Sequence, residues 1–166
     1  MTWVHRSFAT LVLLLVAEPV GAQQFADWHL LTPEEGMRAA ASINDSEGIL
    51  LKVCFTANQQ CVWAVTAGPG CVPGESYPGI VNSDSQATSV ELVCTTYGET
   101  NSFGISPYTV MQHIAEVDDS MGIVIPLEGG RFRVMRFSLR GAWAASKALE
   151  SWTEEQPAKS TDDYTL

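Results

Sequence analysis

Cys54, Cys61, Cys71 and Cys94 are the only cysteines in the chain, and their spacing limits what they can do. Four cysteines read as two disulfides in an oxidising compartment, or as a four-thiolate zinc site elsewhere. Six, nine and twenty-two residues separate them in turn. No interval forms the Cys-x-x-Cys pair of a zinc ribbon, and no closely spaced histidine pair accompanies them. The expectation is two disulfides, no metal and no cofactor. Three pairings are open. Residues 49–55 and 61–66 are apolar and β-branched, with Ala57-Asn58-Gln59 between them. A turn centred between Ala57 and Asn58 sets position 54 opposite position 61. Opposed Cα atoms of an antiparallel pair lie about 4.5–5.5 Å apart, within disulfide reach. This favours Cys54–Cys61 and leaves Cys71–Cys94. Loop entropy assigns about 2.5 kcal/mol to the first bridge and about 3.4 kcal/mol to the second.

Other catalytic chemistry is thinly represented. A Ser-His-Asp set is conceivable from His113, Asp118 and any of several serines, and it would make the chain a small periplasmic hydrolase. His29, the other histidine beyond residue 22, follows Trp28. No Gly-x-Ser-x-Gly elbow exists, since Gly74-Glu75-Ser76-Tyr77-Pro78-Gly79 misses it by one residue. Gly68, Gly70 and Gly74 are interrupted by Pro69 and Pro73, with no Lys-Ser/Thr to follow, so no phosphate loop is formed. Glu34-Glu35 and Glu154-Glu155 fall in turn or tail sequence rather than across a cleft. The expectation is a protein that is not an enzyme, with His113 as the residue on which the enzyme alternative turns.

Charge is more informative. Nine Lys and Arg against nineteen Asp and Glu give a net charge of −10, which argues against a nucleic-acid partner. Yet residues 130–147 hold Arg131, Arg133, Arg136, Arg140 and Lys147 and no acid. One reading is a basic patch of Arg131, Arg133, Arg136 and Arg140 that binds an acidic partner or an anionic envelope component, with Trp143 as a hot spot if it is exposed. The other is internal pairing, with Asp118 and Asp119 answering Arg131 and Arg133.

The elements that would position these groups follow from patterning. The chain has 166 residues, the length of one ordinary domain. His5 and Arg6, an apolar run over residues 8–17 broken by Thr10, and Val20-Gly21-Ala22 have the three-part order of a secretory signal. Residues 1–22 are therefore expected to be a signal peptide, leaving an exported protein, periplasmic or extracellular. No stretch reaches the roughly 18 apolar residues of a membrane span. Residues 25–31 read as a strand with Ala26, Trp28 and Leu30 on one face, and residues 37–43 as a second strand. The Cys54/Cys61 hairpin follows, then turn chemistry over residues 72–79. A strand over residues 89–95 has Val90, Leu92 and Cys94 on one side. Residues 106–117 fit either alternation or a helix capped by Ser106 with Pro107 first. Residues 121–127 and 131–137 flank Glu128-Gly129-Gly130 as a hairpin. Ser138 would then cap a helix over residues 139–152, its inner face Leu139, Trp143, Ser146, Leu149 and Trp152. The expected fold is α+β, an antiparallel β-sandwich-like domain over residues 23–152 with two disulfides and a C-terminal helix. An acidic flexible tail over residues 153–166 would follow.

The leader, the Trp after Phe25-Ala26-Asp27, the cysteines on strands, and Phe137-Ser138-Leu139-Arg140-Gly141-Ala142-Trp143-Ala144-Ala145 together resemble the bacterial invasion-associated locus B family. The likeness is carried mainly by the last thirty residues, the strand-to-helix ending. It implies a bacterial periplasmic or surface protein without enzymatic activity, associated with host interaction. The functional expectation is a non-enzymatic envelope protein that works through protein–protein contact. The alternative binding function is a periplasmic inhibitor or immunity protein that plugs a secreted enzyme.

Overall fold

Apolar alternation pairs ten strands into one antiparallel sheet in the computed structural model, which describes residues 23–32, 35–66, 71–97, 100–127 and 130–154. The expected signal peptide and nearly all of the expected tail lie outside these residues. The strands are β1 (Gln24–Phe25), β2 (Trp28–Leu31), β3 (Met37–Ile43), β4 (Ile49–Phe55), β5 (Cys61–Thr66), β6 (Ser76–Ser83), β7 (Ala87–Tyr97), β8 (Thr100–Ser106), β9 (Ser120–Leu127) and β10 (Arg131–Ser138). Helix α1 (Tyr108–Val117) joins β8 to β9, and α2 (Ala142–Glu154) follows β10. The strand order is β1-β2-β3-β4-β5-β8-β7-β6-β9-β10. The first five strands run as a meander, β6 to β8 run back so that β8 docks on β5, and α1 carries the chain across to place β9 on β6.

The sheet folds over until its ends meet. The Asp27 N–H donates to the Arg140 carbonyl at 3.2 Å, and the Trp28 indole N–H donates to the Ser138 carbonyl at 3.1 Å. One core fills the fold, drawn from the inward residues of nearly every strand. Trp28 and Trp63 meet edge to face at its centre, ring centroids 5.8 Å apart. Both disulfides form as the spacing favours, Cys54–Cys61 across directly opposed residues of β4 and β5, and Cys71–Cys94 onto β7. The fold is the expected mostly-β, sandwich-like one. Among the described residues no helix is long and apolar enough to cross a membrane.

Several boundaries differ from the sequence reading, and β8 was not expected at all. Residues 25–31 are two strands, not one. The chain reverses at Ala26, whose φ of 50° is left-handed, so Ala26 leaves the face that Trp28 and Leu30 bury. Residues 72–79 are not all turn, because β6 begins at Ser76 and Pro78 sits inside it. Only β7 flanks that part of β6, since pairing with β9 starts at Ile80, so the missing proline N–H breaks no ladder on the open side. Residues 106–117 resolve as helix, with Pro107 rather than Ser106 as N-cap and Met111, Ile114 and Ala115 buried.

The last helix starts at Ala142, not at residue 139. Ser138 ends β10 and Gly141 makes the turn at φ +88°. A Cβ on Gly141 would lie 2.0 Å from the Phe25 carbonyl oxygen, so only glycine lets the helix start this close to β1. The buried face of α2 is Ala142, Ala145, Ser146 and Leu149, with Trp143 and Trp152 half-buried at its margins. The helix also runs to Glu154, two residues past the expected domain end.

Candidate functional site

The basic segment falls on the last strand of the sheet. In β10 alternate residues face the core, so Met135 and Phe137 are buried while Phe132, Val134 and Arg136 point outward and are exposed. Opposite them on β9 stand Pro126, Val124 and Gly122, and Ile80 of β6 lies across from Val124. The outer face of β6, β9 and β10 thus carries an apolar strip. Phe132 is 67% exposed, Val134 56% and Ile80 46%. Solitary exposed apolar residues are ordinary; these lie next to one another on a terminal strand.

The C-terminal half of β10 lines a cleft of about 710 Å³ at the seam where the sheet ends meet. His29, Asp45, Asp119, Arg136 and the Asp27–Arg140 pair are among its walls. Arg140 grips Asp27 through Nε and Nη2, each 3.1 Å from Oδ2, and Ser138 Oγ donates to the same oxygen at 2.6 Å. These bonds from the Ser138 hydroxyl and the Arg140 guanidinium hold the Asp27 carboxyl below its usual range. The far wall is held by Asp84, which accepts the Ser120 hydroxyl and the N–H groups of Ser120 and Asp119, bonds that also lower its own pKa.

The expected patch therefore divides. Arg140 has an internal partner, though a different acid from those the sequence suggests for its neighbours, and Asp118 accepts a hydrogen bond from Ser85. Arg136 is exposed in the cleft and makes no ion pair among the described residues. Arg131 is exposed and Arg133 half-buried on the same strand. Trp143 lies on α2 outside the cleft lining, with the Lys147 ammonium 4.7 Å from its ring centroid. His113 stands exposed on α1, outside the cleft, and its side chain makes no hydrogen bond among the described residues. The described residues contain no cluster of three His, Cys, Asp or Glu able to hold a metal.

Sequence reasoning passed over Lys52. Its side chain is fully buried, with Nζ 2.6 Å from Ser146 Oγ, 3.1 Å from Gln112 Oε1 and 2.5 Å from Glu150 Oε1. Tyr108 donates to the same Gln112 oxygen at 2.9 Å. Burial pushes the Lys52 ammonium down, and the bond and charge of Glu150 oppose it only in part. Burial pushes the Glu150 carboxyl up, but hydrogen bonds from Lys52 and Lys147 outweigh it and leave the carboxyl below its usual value. A lysine beside a serine is a known nucleophile-activating pair. Here both are fully buried and the Glu150 carboxylate accepts a hydrogen bond from the ammonium, and the cluster ties α1 and α2 to β4. The signal was visible: alternation sets Lys52 on the inward side with Leu50 and Cys54.

No family model and no curated protein sequence matches the chain. A solved structure does: the crystal structure of invasion associated protein B from Bartonella henselae matches with a TM-score of 0.56 at 11% identity, covering 80% of this chain and 98% of that one. The two share a fold. At this identity the likeness is one of architecture, and it extends over almost the whole of the Bartonella protein. The two disulfides are consistent with export.

Proposed function

We propose that the chain is an exported protein, periplasmic or extracellular, that works without catalysis through protein–protein contact made by β10 and the outer face of the β9–β10 hairpin. The observation that carries this is the exposure of Phe132 and Val134 on the sheet's terminal strand, beside an exposed Arg136 without an ion pair among the described residues. The disulfides, the signal-like sequence of residues 1–22 and a fold shared with an invasion-associated protein support an envelope setting with a role in host interaction, and membership of that protein's family. The position of His113, exposed and outside the cleft, supports a role other than hydrolysis.

A photo-crosslinking residue in place of Val134, with a second protein carrying it in place of the exposed Ala144 of α2, tests the reading in the producing cell. Position 134 should give a discrete protein adduct that Phe132→Glu abolishes, and position 144 should not. Equal adducts from both positions, or none from 134, would contradict it. Loss of a measured biological activity in His113→Ala would replace it with the hydrolase alternative.

A further inference from the structure

We infer that the seam cleft binds a small zwitterionic molecule of dipeptide size, its carboxylate taken by Arg136 and its ammonium by Asp119 and Asp45. The inference goes beyond the contact reading, whose apolar residues Phe132 and Val134 lie outside the cleft lining.

At about 710 Å³ the cleft falls in the range of small-molecule sites. Both of its walls are held in place. On one side the β3–β4 turn is tied by Asn44, whose side-chain oxygen accepts the N–H groups of Ser46 and Gly48. That turn packs on β10, because a Cβ on Gly48 would lie 3.2 Å from Met135 Sδ. On the other side Asp84 anchors Asp119 and Ser120. A site whose walls are fixed beforehand loses little freedom when a ligand enters.

Charge selects the occupant. Asp27 and Arg140 are satisfied by each other and by Ser138. Arg136, Asp45 and Asp119 share the cleft, yet none of them makes an ion pair among the described residues. The His29 side chain in the same lining makes no hydrogen bond among those residues. A purely anionic ligand would meet the repulsion of Asp45 and Asp119, and a purely cationic one that of Arg136, so a ligand carrying both signs is favoured. A carboxylate suits the planar guanidinium fork and has a further lone pair for the His29 imidazole.

Spacing sets the size. Arg136 pairs with Gly122, three residues from Asp119, so the two lie about 10 Å apart along the ladder. That is about three residues of extended chain, and the lengths of the two side chains leave about two for the ligand to cover.

The test is an NMR titration of the full exported chain with three probes: Ala-Ala with both ends free, its N-acetyl form and its C-terminal amide. Ala-Ala should shift the amides of Asp119, Ser120 and Arg136. It should bind about tenfold more tightly than either blocked form, the yield of one charge-assisted bond. Arg136→Gln should erase its advantage over the amide, and Asp119→Asn should narrow its advantage over the N-acetyl form. Equal binding of a blocked form, shifts confined to residues outside the cleft, or no shift at about 10 mM Ala-Ala would overturn the inference. Adducts still formed from position 134 would then leave the contact reading standing. Ala-Ala binding without those adducts would leave this inference standing and remove the other.

Discussion

Strands β4 and β10 each place a cation among apolar neighbours, and the fold treats the two cations oppositely. Lys52 of β4 points inward beneath both helices and is met by Ser146, Gln112 and Glu150. Arg136 of β10 points outward at the sheet's end, exposed and without an ion pair among the described residues. A buried charge must be paired within the fold, whereas an exposed one can wait for a partner. The half of the sheet under α2 holds the buried ion pair, and the β6–β9–β10 face, for which no comparable contact with α2 is seen among the described residues, is the half to which the proposed contact is assigned.

The strongest way to break this contrast is at Lys52. Lys52→Ala should destabilise the chain by about 3–5 kcal/mol, because it strands the polar groups gathered around it. Lys52→Met with Glu150→Met should recover much of the loss, and urea unfolding midpoints will show whether it does. Next in size is the staple outside the α2-covered half. Cys71→Ser should lower stability by about 3.4 kcal/mol under oxidising conditions and by almost nothing in excess reductant.

A smaller effect concerns pH. Glu150 lies below its ordinary 4.5 in the fold, so its stabilising contribution is complete above that pH and is lost as pH falls through the folded value. Lys52 lies below its ordinary 10.5, so the unfolded chain holds that proton longer and stability rises with pH between the folded value and 10.5. Melting temperature should therefore fall on acidification, and Glu150→Gln should flatten the acid limb. The smallest stability effect is expected on the bare face. Phe132→Ser and Val134→Thr should shift unfolding by no more than about 0.5 kcal/mol while weakening contact. A large loss of stability in either variant would mean that this face is structural.

What the sequence made legible was local. The Cys54–Cys61 hairpin follows from the symmetry of its turn, and the β9–β10 hairpin and the buried side of β7 follow from alternation. The features it hid depend on distant partners. The break at Ala26 is fixed by Asp27, whose partners Ser138 and Arg140 lie 111 and 113 residues away. Arg140 looked like a member of the exposed patch for the same reason. Tyr77-Pro78-Gly79 looked like a turn because nothing local shows that one side of β6 is open there. Lys52 was marked by its inward parity, but its partners come from two helices 60 to 98 residues further on.

The most direct test of the division between the two halves is amide hydrogen exchange, measured on the purified chain and again on the chain within its native envelope fraction. Slow exchange around Lys52 in both samples is predicted, with the edge-facing amides of β10 fast in the purified chain and slowed in the envelope. Edge-facing amides equally fast in both, or a slowing that appears on α2 instead, would contradict the account.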